Sequence, residues 1–436
     1  MRTPKKLAMA LGVSLLIGLG ATAAAITSPL LGSEVEVMIR ELAQGIRDNY
    51  VFPDKGEQAA ELLEENLERG RYDGLDEMQL AERLTRDLRE VTKDRHFGVR
   101  PAPRDDPGID APVLQGAARS GTHGFECVER LEGNIGYLDL RRFEPLEESG
   151  PTLHAAMRLL QGSDALIFDM RRNGGGHPDA VRAICTYLFD PSEPVHLNSL
   201  YFRPSDETTE FWTAPEILKS DAMPETPVWV LTSGYTFSGA EEFTYNLKTR
   251  GRATIVGETT GGGAHPVDGF PIGDGALMAM IPVGRAINPI TGTNWEGTGV
   301  TPDVETSAEE ALDVAIDLAL ESMVNSGDPA KAENASWALI AKRAEAGGRP
   351  ISEAVMLEIA GDYGERQVEH RDGALWYTRT GVSNAPRRLT CVGDDTFVVD
   401  GVPDFKLVFN RERDGRVSGV TGHYRQREPD HNERVD

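Results

Sequence analysis

The feature that most constrains the fold is an alternation of short apolar runs with amphipathic segments between residues 134 and 256. The runs Ile135–Leu140, Ala165–Asp169, Val228–Leu231 and Ala253–Val256 predict buried strands. The segments between them predict helices over residues 152–161, 180–189 and 239–249. Strands that alternate with helices imply an α/β domain with crossover connections, and functional groups in such sheets lie where strands end.

The segments on either side of this core have different patterns. Residues 33–100 carry apolar side chains at helical spacing and predict a small helical domain. Residues 101–124 are rich in Pro, Gly, Ala and Asp, which predicts a connector, and residues 125–325 then form the α/β core. Residues 326–436 predict a helical linker followed by a small β domain.

The first 26 residues predict an export signal. Basic residues at the head precede an apolar run over residues 7–19, and small residues at 21–25 provide a cleavage site. An uncleaved membrane anchor is the alternative. In both cases we expect the body of the protein in the periplasm or outside the cell, with no membrane integration beyond this segment.

The charge balance and the cysteine content exclude several classes of protein. The formal net charge is -25, from 45 basic and 70 acidic side chains, and this argues against nucleic acid or an anionic membrane surface as the main partner. The three cysteines Cys127, Cys185 and Cys391 form neither a disulfide framework nor a zinc motif. We therefore expect no metal and no organic cofactor.

Ser238 is the strongest candidate for a nucleophile. An apolar strand ends, a polar turn follows, and small residues then open a helix. A serine in this position presents its hydroxyl at a helix N-terminus, where the amide of Gly239 faces a developing oxyanion. The alternative is that Ser238 is only an N-cap, with Glu241 completing a capping box.

A glycine triplet, Gly174 to Gly176, follows the strand at residues 165–169. Glycine lets backbone amides approach a ligand closely, so the triplet could supply a second oxyanion donor or cradle a phosphate. The phosphate alternative lacks the Lys-Ser or Lys-Thr pair that a P-loop requires. A plain tight turn is the remaining alternative.

Several ordered stretches resemble the tail-specific, or C-terminal-processing, serine peptidase family. Within that family they are similar to the branch containing tricorn protease cores and interphotoreceptor retinoid-binding protein modules. The stretches are Asp169–Gly176, Thr236–Glu242, Gly257–Pro266, Glu296–Asp303 and, in the helical segment, Asn49–Pro53 and Asp94–Phe97. The resemblance implies a crotonase-like core of stacked βα units. It also implies Ser238 as nucleophile, with the amides of Gly239 and of Gly175 or Gly176 as oxyanion hole.

The resemblance also bears on the general base. Processing peptidases of this family place a Lys about twenty-five residues after the nucleophile, and that position is Gly263 here. The tricorn-like branch instead uses a His ahead of the core and a Glu after it, which correspond to His96 and Glu296. His265, in a glycine-rich loop, is an alternative base. The Ser that precedes the catalytic His in that branch is Arg95 here, so its auxiliary hydroxyl is missing.

The resemblance implies an exported serine peptidase that acts on peptides or proteins through an acyl-enzyme. Two alternatives remain open, which are a non-catalytic module of the same fold that binds apolar ligands and an esterase. The short connector leaves no room for a PDZ domain, so we do not expect that route of substrate recognition. The sequence leaves the natural substrate and homo-oligomerisation open.

Overall fold

The computed structural model describes residues 29–102, 121–214 and 219–435. The predicted export signal and most of the predicted connector lie outside these ranges. Within them, no helix has both the length and the apolar character that crossing a membrane would require.

The described residues contain nine α-helices and twenty strands, with a short 3-10 helix at Lys219–Asp221. The helices are α1 (Gly32–Asn49), α2 (Pro53–Glu68), α3 (Glu77–Thr92), α4 (Leu146–Leu160), α5 (Pro178–Thr186), α6 (Gly239–Thr249), α7 (Ala311–Val324), α8 (Pro329–Glu345) and α9 (Glu353–Ile359). The strands are β1 (Gly98–Pro101), β2 (Phe125–Leu131), β3 (Ile135–Leu140), β4 (Ala165–Asp169), β5 (His196–Phe202), β6 (Glu207–Trp212), β7 (Val228–Thr232), β8 (Thr254–Gly257), β9 (Val267–Ile272), β10 (Leu277–Pro282), β11 (Gly284–Ile287), β12 (Val304–Glu305), β13 (Gly361–Tyr363), β14 (Arg366–Arg371), β15 (Ala374–Arg379), β16 (Ser383–Gly393), β17 (Thr396–Val399), β18 (Val402–Arg411), β19 (Val417–Tyr424) and β20 (Arg427–Glu433).

The central sheet has six strands in the order β12-β8-β7-β4-β3-β2. All neighbours are parallel except the edge pair β2–β3. Alternate side chains of the buried strands pack against α4, α5 and α6 on one face and against α7 and α8 on the other. This confirms the α/β class and the four strands predicted from apolar runs, because strands buried on both faces are apolar throughout. The crotonase-like arrangement stays a prediction.

The N-terminal helices pack against part of the core. Helices α1 to α3 share one apolar cluster with the antiparallel sheet β1-β10-β9. Strand β1 follows α3 directly and pairs with β10. The Asp76 side chain caps α3 by accepting a hydrogen bond from the Gln79 amide at 2.9 Å. This packing fixes the turn between α3 and β1 against the loops of the α/β core.

The C-terminal segment forms an eight-stranded antiparallel sheet in which β13 to β20 pair in sequence order. Apolar residues at alternate positions of these strands form a separate cluster with α9. All three cysteines are free thiols, and Cys185 and Cys391 are buried. Cys185 and Cys391 therefore pack as small apolar residues within the fold.

Candidate active site

Ser238 lies at a sharp turn between β7 and α6, directly before the first residue of the helix. Its backbone has φ 52° and ψ −122°, a conformation that non-glycine residues rarely adopt and that costs about 1–3 kcal/mol. The residue is partly exposed, and its hydroxyl accepts no capping hydrogen bond from the helix. A strained strand-to-helix turn that leaves a serine hydroxyl free is typical of nucleophiles.

The Glu241 carboxylate holds this turn against the neighbouring glycine-rich loop. It is fully buried and accepts hydrogen bonds from the amides of Ser238 (2.9 Å), Gly262 (2.6 Å) and Gly263 (2.8 Å) and from the hydroxyl of Thr260. Burial raises the pKa of Glu241 to about 7, although these hydrogen bonds oppose the rise. Of the two hydrogen bonds of the expected capping box, the one from the Ser238 amide to the Glu241 carboxylate forms. The other, in which the Ser238 hydroxyl would accept from the helix, does not.

The glycine run after β4 lies directly against the nucleophile turn. An ideal Cβ on Gly175 would stand 2.8 Å from the Cβ of Ser238, and one on Gly239 would stand 3.0 Å from the amide nitrogen of Gly176. The Gly175 amide donates to Asn173 Oδ1 at 2.8 Å. Within the described ranges, no acceptor binds the amides of Gly176 and Gly239. Those two amides are therefore the ones available to a ligand oxygen.

His96 lies in the turn between α3 and β1. Helix α3 ends just before Lys93, whose φ of 59° is left-handed, and the Asp94 carboxylate then accepts a hydrogen bond from the His96 amide at 3.0 Å. The His96 ring packs against the ring of Phe237, with centroids 4.7 Å apart and an interplanar angle of 36°. Because Phe237 immediately precedes Ser238, the fold brings His96 beside the turn at Ser238.

The surroundings of His96 favour its neutral form. Burial lowers the pKa of His96 to about 4, His265 and Arg89 lower it further, and Asp94 opposes the fall. The Nδ1 atom of His96 is buried and has no hydrogen-bond partner within the described part of the chain. The imidazole is therefore unprotonated near neutral pH, which is the state that a general base needs.

Gly263 stands where the resemblance places a lysine base in other members of the family. An ideal Cβ on Gly263 would be 2.2 Å from Phe237 Cζ and 2.5 Å from His96 Cε1. Real Cβ atoms essentially never come within 3.0 Å of such neighbours. A side chain at this position would therefore displace the His96 ring, so a lysine here and His96 in its present place exclude each other.

A second buried cluster connects the two candidate histidines. His265 is 4% exposed, and its Nδ1 atom lies 2.7 Å from Asp94 Oδ2 and 3.4 Å from Glu296 Oε2. The Tyr50 hydroxyl also donates to Asp94 Oδ2, at 3.3 Å. Asp94 thus binds the backbone of His96 through Oδ1 and the ring of His265 through Oδ2. Asp94 had no predicted role, although it stands in the Asp-Arg-His-Phe stretch.

Glu296 contacts His265 rather than His96. Its Oε2 atom accepts a hydrogen bond from the Ala264 amide at 2.6 Å, and its Oε1 atom is buried without a partner in the described ranges. Burial and the charge of Asp94 raise the pKa of Glu296, while His265 opposes the rise. The structure therefore groups Glu296 with His265 and Asp94, next to His96 but not hydrogen-bonded to it.

Among the described residues, the same three side chains are the group best placed to bind a metal. Asp94, His265 and Glu296 offer ligand atoms that all lie within 4.8 Å of one another. One imidazole and two carboxylates form a donor set that divalent cations use. The hydrogen bond between His265 and Asp94 already explains why these side chains lie close together. The same arrangement is therefore also expected of a hydrogen-bond network that positions side chains without a metal.

Two adjoining cavities open at this site. The first has a volume of about 700 Å³ and borders Gly174 and Phe237, which are the sequence neighbours of Gly175 and Ser238. The second has a volume of about 460 Å³ and reaches Asp94, His265 and Glu296. Cavities of this size accommodate several residues of an extended chain or a small molecule.

Two family models match this chain. Residues 134–306 match the model described as Peptidase family S41, and residues 21–119 match the N-terminal domain of Peptidase S41 in eukaryotic IRBP. Together the two matches cover more than half of the chain. The two matches therefore assign residues 134–306 to peptidase family S41 and residues 21–119 to its N-terminal domain.

Individual relatives match over shorter stretches. The carboxy-terminal-processing protease of Bartonella bacilliformis is 28% identical over 212 residues, which are 45% of this chain and 44% of that protein. The carboxyl-terminal-processing protease of Synechocystis sp. is 31% identical over 149 residues, which are 34% and 32% of the two chains. This chain thus spans less than half the length of the curated relatives that it matches.

Among solved structures, the chain is similar to the photosystem II D1 C-terminal processing protease. It is 17% identical, with a TM-score of 0.42 over 64% of this chain and 94% of that chain. The TM-score lies below 0.5, so the family assignment rests on the sequence matches.

Proposed function

We propose that this protein is an exported serine peptidase that cleaves peptide bonds through an acyl-enzyme on Ser238. The observation that carries the proposal is the strained turn at Ser238, whose free hydroxyl stands beside the unpaired amides of Gly176 and Gly239. The match of residues 134–306 to peptidase family S41 and similarity to carboxy-terminal-processing proteases support it.

In the proposed reaction, the Ser238 hydroxyl attacks the carbonyl carbon of the scissile bond while His96 accepts its proton. The carbonyl oxygen becomes an oxyanion that the Gly176 and Gly239 amides stabilise. His96 then returns the proton to the leaving amine as the C–N bond breaks. A water molecule, deprotonated by His96, then attacks the acyl carbon, and His96 returns that proton to Ser238 Oγ as the Ser–acyl bond breaks and the second product leaves.

Within this proposal, Glu296 acts on the base indirectly. The contacts run from Glu296 to His265 and from His265 to Asp94, which holds the His96 backbone. Asp94 also raises the pKa of His96 against the effect of burial. We assign Asp94 and His265 as positioning residues. Their role is to keep the imidazole at the nucleophile turn and to stabilise its protonated form when it appears.

The binding-module alternative is less consistent with the site. A module that only holds an apolar ligand does not need a serine in a strained conformation, which costs free energy, or a neutral imidazole packed beside it. An esterase would use the same groups. Matched amide and ester substrates separate the two enzyme classes. A peptidase should cleave both substrates, and an esterase should cleave only the ester.

Export is the remaining part of the proposal. It rests on residues 1–26, whose order of basic, apolar and small residues is that of a secretory signal. N-terminal sequencing of native protein checks it. A cytosolic protein that begins at Met1 would contradict it.

A fluorophosphonate probe tests the nucleophile and the base together. Wild type should be labelled at Ser238, and Ser238→Ala should abolish labelling and turnover with little change in melting temperature, because alanine at this φ bears similar strain. His96→Ala should remove most labelling, and His265→Ala should remove less. Ser205→Ala, an exposed serine in a turn, is the matched control. Labelling at another residue would refute the assignment, and a wild type that never reacts would favour the binding module.

A further inference from the structure

The walls of the two cavities carry an unusual excess of positive charge for so acidic a protein. The first cavity is lined by Arg89, Lys93 and Arg95, and the second by Lys55, Lys93 and Arg285. The cavities share Lys93, and they therefore form one continuous surface. We call these five side chains and the space between them the cationic cleft.

The five cations lack carboxylate partners within the described ranges. Many other Arg and Lys side chains of this chain form ion pairs, as Arg47 does with Glu57 and Glu64. No carboxylate oxygen of the described residues lies within 4.0 Å of a cationic nitrogen in the cleft. Arg89 and Arg95 bind backbone carbonyls instead, those of Phe97 and Gly261. Among the described residues, these cations therefore have no ion-pair partner, and the charge of Asp94 acts on Arg89 without a salt bridge.

The acidic side chains that face the same space are occupied. Asp94 is 1% exposed and accepts hydrogen bonds from Tyr50, His96 and His265. Glu296 is largely buried and binds the Ala264 amide. A ligand in the cleft can therefore contact exposed cations, whereas the carboxylates of Asp94 and Glu296 are largely buried and already hydrogen-bonded within the protein.

Arg95 connects this charge to the reaction centre. It precedes His96 in the chain, and its guanidinium is held on the Gly261 carbonyl, in the loop that also carries Gly263. Both Arg95 and Gly261 line the first cavity together with Phe237. A planar guanidinium fixed in this way presents its remaining N–H groups in a geometry suited to a carboxylate.

We infer that the cationic cleft selects peptides with acidic side chains next to the scissile bond. The inference rests on the proposed peptidase function for the peptide nature of the ligand. A cleft lined by one sign of charge concentrates ligands of the opposite sign, and the overall negative charge of the protein repels them elsewhere. The carboxylate that binds has two chemical sources, an acidic side chain or a free chain terminus, and the experiment separates them.

Binding to the Ser238→Ala protein tests the inference without turnover. The probes are four tetramethylrhodamine-labelled decapeptides of Ala, Gly and Ser, with a central Glu-Glu or Gln-Gln pair and a free or amidated C-terminus, measured by fluorescence anisotropy. The amidated Glu-Glu peptide should bind about tenfold or more tightly than the amidated Gln-Gln peptide. The difference should shrink between about 50 and about 500 mM NaCl.

Substitutions then locate the selectivity. Arg95→Gln and Lys93→Gln should each reduce the ratio of Glu-Glu to Gln-Gln affinity severalfold, and Arg95→Lys should retain part of it. Arg86→Gln is the matched control, because Arg86 is an exposed arginine of α3 that does not line either cavity. An unchanged ratio in both cleft variants would show that the cleft does not confer selectivity.

The outcomes distinguish this inference from the proposed function. Equal binding of the two amidated peptides overturns the inference, as does failure of all four to bind. A preference only for free C-termini shows that the cleft takes a chain end and refutes the side-chain assignment. Acidic preference in a protein whose Ser238 never reacts with fluorophosphonate supports the inference and defeats the peptidase proposal. Ser238 labelling without a preference for acidic peptides overturns the inference and supports the peptidase proposal.

Discussion

Replacing Gly263 by alanine tests whether His96 supplies the base, because this glycine is the space that the His96 ring needs. The added Cβ would stand 2.2 Å from Phe237 Cζ and 2.5 Å from both Phe237 Cε2 and His96 Cε1. Ordinary van der Waals contact begins at 3.4 Å. Both rings must therefore move by about 1 Å, since backbone hydrogen bonds hold the loop on Glu241.

The expected magnitude follows from this displacement. Overpacking by one methyl group in a well-packed site costs about 1–3 kcal/mol, so the melting temperature should fall by a few degrees. A misplacement of about 1 Å at a catalytic group costs about a hundredfold in rate. Gly263→Ala should thus lower kcat/KM and the rate of fluorophosphonate labelling about a hundredfold while the protein stays folded.

The assay compares Gly263→Ala with Gly98→Ala, measured by labelling rate and by thermal unfolding. Gly98 stands two residues after His96, and an added Cβ there meets no atom within 4 Å. Gly98→Ala should therefore label like wild type. If Gly263→Ala also labels at the wild-type rate, the His96 ring does not occupy this space during the reaction and another group is the base.

Three further predictions concern titration. Burial lowers the pKa of His96 to about 4, so kcat/KM should stay high down to pH values well below the ordinary histidine pKa of about 6.5 and fall only near 4; an acid limb at or above 6.5 would refute this. Asp94→Asn removes the charge that raises the pKa of His96, so it should move that limb to lower pH and reduce kcat more than His265→Ala does; identical pH profiles would contradict the positioning role. Burial raises the pKa of Glu242 from 4.5 to about 8. Between these pH values, Glu242 keeps its proton in the folded protein and loses it in the unfolded chain. The free energy of unfolding therefore falls as the pH rises from 4.5 to about 8. Glu242→Gln should therefore leave the melting temperature unchanged at about pH 4 and raise it by several degrees at about pH 9, and an equal effect at both pH values would contradict the burial argument.

The sequence predicted the central sheet closely because its signals are local. Strands β3, β4, β7 and β8 are continuous apolar runs, which is what burial on both faces requires. Helix boundaries were less accurate. Helix α4 begins at Leu146, although the apolar spacing indicated residues 152–161, and Pro151 lies inside its first turns. Strands β5, β6 and β9 to β11 gave no clear pattern, since polar residues interrupt most of them and many of their side chains are partly exposed.

The chain by itself determined the turn at Ser238, since a strand end, a polar turn and a helix start are all encoded within about a dozen neighbouring residues. The tertiary structure alone decided what surrounds it. Asp94 and His265 are 171 residues apart in the chain and 2.7 Å apart in space. Gly263 is explained only by the His96 ring beside it. Such contacts depend on how α3, β1 and the glycine-rich loop pack together, and no periodicity or local spacing in a single sequence records that packing.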